Sequence, residues 1–324
     1  MSLAPDARVY IAGHRGMVGS AVVRRLASAG YRNIVTASSA DLDLRDQAAT
    51  FRFFDEKRPD VVVLAAAKVG GILANRDYPA QFLYDNLAIA SNVVEAARRT
   101  GVRKLLNLGS SCIYPRLAPQ PISEDRLLSG PLEETNRAYA LAKIAAIELC
   151  DSYRFQYRCD FISAMPCNLY GPGDNYDLHG SHVIPALMRK AHTARLSGVD
   201  SFQVWGTGNV RREFLHVDDL ADACLFLLTN FSGAGPINVG TGADVTIREL
   251  AELVCEVVGY RGAMEFDSTK PDGTPRKLLD VSMLTEMGWT AKTGLRTGLQ
   301  DAYRWFCDHE STARGVACVG SATK

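Results

Sequence analysis

No apolar run in the 324-residue chain reaches the roughly 18 residues that a membrane span needs, and the start MSLAPDARVYIAG lacks a charged-then-apolar leader. The expectation is a cytoplasmic protein with no membrane partner. Net charge is missing too: 36 Lys and Arg balance 36 Asp and Glu, so no long-range field draws the chain to nucleic acid. The eight cysteines form no CxxC pair and no cluster with histidine, and most fall inside apolar runs such as IELC, ADACLFLL and LVCEVV. This argues against a disulfide framework and a metal site, and it reads most of the thiols as small core residues in a reducing compartment. Internal repeats are absent as well.

What is present is alternation. At 47% hydrophobic and 22% charged the composition is that of an ordinary globular protein. Short apolar runs (RVYIAG, NIVTAS, DVVVLAAA, RKLLNLGS, CDFISAMP) are separated by longer stretches of helical period, such as MVGSAVVRRLASAG and EETNRAYALAKIAAIELCDSYRF. β-Branched runs that end in Gly, Ser or Pro between helices predict an α/β protein with a doubly wound parallel sheet of Rossmann type. After Pro166 the character changes to loops with mixed short elements, which predicts a second, smaller α/β lobe. The expected division is 1–175 for the dinucleotide domain, with a return around 212–240 in which GPINVG adds a strand, and 176–211 with 241–310 for the substrate lobe. The end, 311–324, is small and polar and is expected to be a disordered tail.

The loop GHRGMVG places Gly13, Gly16 and Gly19 directly after a strand and before a helix. Gly13 permits the tight turn, Gly16 lets backbone approach a pyrophosphate, and Gly19 lets the helix pack against the sheet. The GxxGxxG spacing resembles that of the extended short-chain dehydrogenase/reductase family. Arg15 lies within reach of a 2'-phosphate on the adenine ribose, which favours NADP over NAD. The second strand ends NIVTASSADLDL with no acid immediately at its end; Ser38 and Ser39 offer uncharged hydrogen bonds, and Asp43 and Leu44 are placed to flank the adenine.

YALAK sets Tyr139 and Lys143 four residues apart, hence on one helix face. A free tyrosine has a pKa near 10, and an adjacent ammonium moves it toward useful proton exchange. Lys143 also reaches the nicotinamide ribose. Ser110, in GSSCIYP at the end of a strand, can hydrogen-bond the same carbonyl oxygen as Tyr139, so Ser110, Tyr139 and Lys143 make a carbonyl-reduction site. On the residues alone, Cys112 reads as a small buried residue behind Ser110. His182 reads equally as a helix-capping loop histidine or as a functional group.

The blocks AGHRGMVGSA, LAAAKVGGI, GSSCIYP, YALAK, NLYGP, SHVIPAL, REFLHVDD, INVGTG and KPDGTPRKLLD together resemble the bacterial GDP-L-fucose synthase family, over about residues 8 to 307. The resemblance implies NADPH-dependent conversion of GDP-4-keto-6-deoxy-mannose by C3 and C5 epimerisation and C4 reduction. It implies Cys112 as the base and His182 as the acid, and it ranks His182 above His179, which falls outside the matched block. The implied cofactor set is Gly13, Arg15, Gly16, Met17, Val18, Gly19, Ser39, Asp43, Leu44, Lys143, Pro166, Asn168, Leu169 and His182. Lys190, Trp205 and Arg212 are implied as GDP-sugar contacts, with Lys277 near the nucleotide, and a homodimer is expected through AQFLYDNLAIASNVVEAA and YALAKIAAIELC. Two departures stand out. An arginine that helps hold the 2'-phosphate in the family is replaced within ASSADLDL, and lysine stands at 190 where some members carry arginine. The competing readings are a single-function reductase or 4-epimerase on another nucleotide sugar, with Cys112 structural, and a dinucleotide-binding regulator.

Overall fold

The computed structural model describes residues 3–178, 180–270 and 272–316. Along the first part of the chain run β1 (Val9–Ala12), α1 (Met17–Ser28), β2 (Ile34–Val35), α2 (Gln47–Lys57), β3 (Val61–Leu64), α3 (Ile72–Asp77), α4 (Pro79–Thr100), β4 (Lys104–Leu108), α5 (Arg137–Tyr157) and β5 (Phe161–Pro166). They are followed by β6 (Asn168–Tyr170), α6 (Val183–Ser197), β7 (Ser201–Trp205), β8 (Arg211–His216), α7 (Val217–Asn230), β9 (Pro236–Val239), β10 (Asp244–Thr246) and α8 (Ile247–Val258). The chain continues through β11 (Ala263–Asp267), β12 (Arg276–Lys277), α9 (Ser282–Glu286) and α10 (Leu295–Asp308).

The strands alternate sides, as a sheet covered on both faces requires. Val9 and Ile11 pack with Val22 and Leu26 of α1 and with Leu220 and Leu227 of α7. Their neighbours Tyr10 and Ala12 pack on the other face with Phe54 of α2, Val93 of α4 and Ala146 of α5. The resulting sheet is parallel throughout, in the order β2-β1-β3-β4-β5-β9. Strand order reverses between β1 and β3, and the crevice beyond their carboxyl ends is where such sheets take ligands. Local sequence stops the helices where they stop: Asp46 caps α2 through the Ala49 N–H, Thr246 and Glu249 form a capping box on α8, and Gly101, Gly198 and Gly259 close helices at positive φ.

A second apolar core joins α6, α8 and α10 through Leu187, Leu250, Val254, Leu299 and Phe306. Its strands centre on β8, which pairs with β10 antiparallel and with β12 and β6 in parallel; β7 and β11 form a separate parallel pair. The crossing out of the main sheet comes before residue 175, because Asn168–Tyr170 already bonds to Phe214–His216. The chain rejoins the main layer through α7 and β9, whose Pro236–Val239 pairs with Ser163–Pro166.

Residues 311–316, expected from the sequence to fray, are held in place. Ala313 is buried, the Tyr176 N–H donates to Arg314 O at 2.8 Å, and Arg189 Nη1 donates to Gly315 O at 2.8 Å. The sequence lacks periodicity there because the contacts are backbone contacts. Residues 317–324 lie outside the described residues. Among the described residues no helix is long and apolar enough to cross a membrane.

Candidate active site

The glycine loop sits at the reversal between β1 and β3. Gly13 has φ 88°, and a Cβ there would stand 2.8 Å from Ala66 Cα, so the turn closes against the end of β3 only without a side chain. A Cβ on Gly19 would fall 2.2 Å from Gly13 O. Gly16 begins α1 with no side-chain cap, and the first turn holds no acid. The opening amides at Met17, Val18 and Gly19, together with the positive end of the helix, thus face a surface that favours an anion, the chemistry of a pyrophosphate.

The adenosine end differs from expectation. The Ser38 hydroxyl is buried and donates to Asp41 Oδ2, so it is already committed, and Ser39 is exposed. Asp41, passed over in the sequence, is held below the usual carboxylate range by its bonds to Ser38, with the charges of Arg15 and His14 adding to that. Asp43 is paired with Arg45 at 2.8 Å, and Leu44 is buried in the core, its carbonyl accepting from Asn92 Nδ2 at 2.9 Å. Neither Asp43 nor Leu44 presents a free side chain to an adenine. Local spacing shows the strand end but not these partners, which come from α4 and from the turn itself.

Beyond β4, Gly109 lies against Met165: a Cβ there would meet its sulfur at 2.2 Å. Ser110 is extended, at φ −162° and ψ 145°, and its Oγ accepts from the Cys112 N–H at 3.4 Å in a one-turn 3-10 helix, Ser111–Ile113. Cys112 is 7% exposed. Tyr139 and Lys143 rise from α5 toward this turn. Lys143 Nζ donates to Leu108 O at 2.8 Å and stands 5.7 Å from the Tyr139 ring centre, while Phe82 of α4 meets that ring edge-on at 6.2 Å.

Burial dominates the electrostatics here. It pushes the Tyr139 phenol well above its usual range, with Cys112 adding to the rise, and it brings Lys143 down to about 8 against the pull of Cys112. The expected lowering of Tyr139 by the ammonium does not emerge here, because the cost of desolvating a phenolate dominates. Cys112 is likewise raised by burial. The largest opposing influence is Lys277, followed by the Ser110 hydroxyl and Lys143. His182 opens α6 without a side-chain cap; the residue is open to solvent on one side, yet the protein gathered around its ring desolvates the imidazolium and lowers its pKa. His179 lies outside the described residues.

On the second core, Lys190 Nζ donates to Gln203 O at 3.0 Å and stands 5.1 Å from the Trp205 ring centre, which Lys270 approaches at 5.7 Å. Trp205 is 40% exposed. Arg212 Nη2 donates to Asp272 O at 3.2 Å, and burial lowers its pKa against Asp272 and Glu133. Arg211 and Arg276 are both neutralised by Asp244, at 2.9 and 2.5 Å. Lys277 is the register partner of Arg212; burial lowers its pKa, and Cys112, Arg212 and Glu133 are close enough for their charges to act on it. Pro166 is buried at the end of β5, Asn168 donates to Glu213 O at 2.8 Å, and Leu169 packs on the main core.

Sequence reasoning missed Glu213, the acid inside REFLHVDD. It is fully buried and accepts from the N–H groups of Thr241 at 2.6 Å, Gly242 at 2.8 Å and Leu279 at 2.9 Å, tying the loop after β9 to the segment carrying Lys277. An acid inside a strand-like run, with apolar Phe214 and Leu215 directly after it, was the available signal. Among the described residues no three His, Cys, Asp or Glu gather as metal ligands.

The NAD dependent epimerase/dehydratase family profile matches residues 9–240. The chain is 57% identical over 301 residues to GDP-L-fucose synthase 1 of Arabidopsis thaliana, covering 93% of both chains. It is 52% identical over 317 residues to the GDP-L-fucose synthase of Escherichia coli strain K12, covering 95% of this chain and 99% of that one. Its fold is similar to the crystal structure of a GDP-L-fucose synthetase from Naegleria fowleri bound to NADP, with TM-score 0.91, 30% identity, and coverage of 97% and 96%.

Proposed function

The chain belongs to the NAD dependent epimerase/dehydratase family and to its GDP-L-fucose synthases, and from this premise we propose how its residues convert GDP-4-keto-6-deoxy-mannose to GDP-L-fucose. The observation that carries the assignment is the gathering of Tyr139 and Lys143 of α5 at the end of β4 that bears Ser110 and Cys112, with the charge of Lys277 acting on the thiol.

The substrate ketone lies at C4, so the protons on C3 and C5 are both removable as enolates. Cys112 as thiolate takes a proton from one face, and His182 returns one to the other. The charge that moves onto the C4 oxygen is held by the hydroxyls of Ser110 and Tyr139. Lys277 and Lys143 limit the cost of the thiolate.

In the reduction, Tyr139 gives its proton to the C4 oxygen. Its raised pKa keeps it protonated for that task, and an alkoxide is a stronger base than a phenolate. The glycine loop with its uncapped α1 amides fits a dinucleotide pyrophosphate, and Arg15 and Lys143 would hold the two ribose ends. A reduced nicotinamide dinucleotide bound there supplies the hydride. NADPH is the cofactor we infer, on the strength of Arg15. Lys190, Trp205 and Arg212 hold the GDP portion: a ring face with cations over it suits a base or sugar, and a partly desolvated guanidinium suits a diphosphate. Two copies associate through the outer surfaces of α4 and α5, where Tyr84 is 68% and Leu141 39% exposed.

The test is incubation with GDP-4-keto-6-deoxy-mannose and NADPH in D2O, following NADPH absorbance and reading deuterium at sugar C3 and C5 by NMR. Oxidation with deuterium at both carbons is expected, and Cys112→Ser should abolish the deuterium while leaving folding and NADPH binding intact. Oxidation without deuterium would reduce the activity to C4 reduction and return Cys112 to a structural part.

A further inference from the structure

Three polar side-chain atoms around the proposed site are buried and have no protein partner: Asn75 Oδ1, Asn136 Oδ1 and Ser181 Oγ. Each lies next to a working part of the site. Asn136 precedes α5 three residues before Tyr139 and makes no cap bond, Ser181 is adjacent to His182, and Asn75 lies in α3 between them. The segments touch. The Gly71 N–H donates to Gly180 O at 3.0 Å, a Cβ on Gly71 would stand 2.8 Å from Ser181 O, and α3 packs on the 3-10 turn Glu134–Asn136. A Cβ on Gly70 would stand 3.2 Å from Phe82 Cζ, and Phe82 is the ring set edge-on to Tyr139.

The chemistry of the orphan atoms is specific. Asn75 is 6% exposed, and its Nδ2 donates to Gly70 O at 2.8 Å and Gly71 O at 3.0 Å. Rotating that amide would set its oxygen against two carbonyls, so Oδ1 is fixed as a pure acceptor. A buried polar atom without a partner is costly, and two amide oxygens and a hydroxyl on segments that pack together indicate a ligand carrying O–H groups. Resting on the reading above, the substrate ring has two hydroxyls, at C2 and C3, because C4 is a ketone and C6 a methyl. The C3 hydroxyl changes side when C3 epimerises, so a single acceptor would lose it in one of the two forms.

We propose that Asn75, Asn136 and Ser181 form a hydroxyl-reading subsite that grips the hexose at C2 and C3 and holds the ring while its C3 substituent changes face. The three residues set sugar specificity and position the ring.

The test is calorimetric binding of GDP-mannose and its 2-deoxy and 3-deoxy analogues to the whole enzyme, with kcat and KM for the keto substrate measured in parallel. The unmodified protein is expected to bind at least one deoxy analogue about tenfold or more weakly than GDP-mannose. Asn75→Ala, Asn136→Ala and Ser181→Ala should each shrink that ratio toward one while the Kd for NADPH stays unchanged. Thermal unfolding identifies any variant that fails to fold, and Ser181→Ala, whose hydroxyl bonds nothing in the protein, keeps the question open to decision. Unchanged discrimination in the folded variants overturns the proposal. Loss of NADPH affinity with sugar discrimination intact also overturns it, by assigning the acceptors to the cofactor's carboxamide. Because binding needs no turnover, failure of the epimerase reading would show separately, as absence of deuterium exchange in an enzyme that still discriminates hydroxyls.

Discussion

The pH course of proton exchange at C3 and C5 probes the thiol and imidazole roles directly. Desolvation moves the two pKa values apart, lifting the buried Cys112 above its ordinary 9.0 and, through the protein packed around an otherwise accessible ring, taking His182 below its ordinary 6.5. The working pair, thiolate with imidazolium, is therefore the minority arrangement of protons. The ordinary values, 9.0 and 6.5, differ by 2.5 pH units, so at most roughly three molecules in a thousand carry the working pair at any pH between them. Burial lowers that share further. Forming the pair thus costs at least about 3.4 kcal/mol. Between the two pKa values the thiolate grows tenfold per pH unit while the imidazolium falls tenfold, and their product is constant. Exchange measured by NMR in buffered D2O without NADPH should rise with unit slope at acid pH, stay flat from below 6.5 to above 9.0, and fall beyond. In His182→Gln the residual exchange should climb with unit slope through the former plateau, because only the thiolate then limits it. A narrow bell with both limbs inside about one pH unit of neutrality would refute the reasoning, since it requires pKa values that burial has not separated.

Lys277→Met removes the largest influence opposing burial at Cys112, so the alkaline edge of the plateau should move up and the plateau fall about tenfold per pH unit of displacement. Dinucleotide affinity by fluorescence titration should not change, and an unmoved edge would deny Lys277 its part. Gly19→Ala sets a methyl 2.2 Å from Gly13 O, a backbone atom that cannot yield alone, so NADPH affinity should drop tenfold or more while far-UV circular dichroism stays that of the parent. Glu213→Gln keeps an acceptor for Thr241 and Gly242 but turns an amide N–H toward the Leu279 N–H, or the reverse. It should cost about 1–3 kcal/mol in urea unfolding. Exchange should slow with it, as the segment bearing Lys277 loosens.

Much of the fold and part of the site could be read along the chain because the rules involved are local. Strand, tight turn and helix follow one another within Val9–Ser28, so the three glycines declare the dinucleotide loop without any distant partner. Tyr139 and Lys143 share a helix face by spacing alone. Cys112 was different: its chemistry came from resemblance, since a buried thiol after a strand has no local mark that separates base from filler. At Ser38 and Leu44 local reading went astray, because a hydroxyl and a side chain counted as available are used by Asp41 and by the core.

The sequence by itself determined the parallel α/β sheet, the glycine turn between β1 and α1, the shared helix face of Tyr139 and Lys143 and the absence of a long apolar span, all properties of periodicity, spacing and composition. Only the tertiary structure decided which charges meet the thiol. The charge of Lys277 acts on Cys112 because β12 pairs with β8 across 65 residues of chain and Glu213 holds that segment in place. It also decided that desolvation dominates at Tyr139, and that the segments carrying Asn75, Asn136 and Ser181 pack together. Register between distant strands and the depth of burial are sums over the whole molecule, and no window of the sequence contains them.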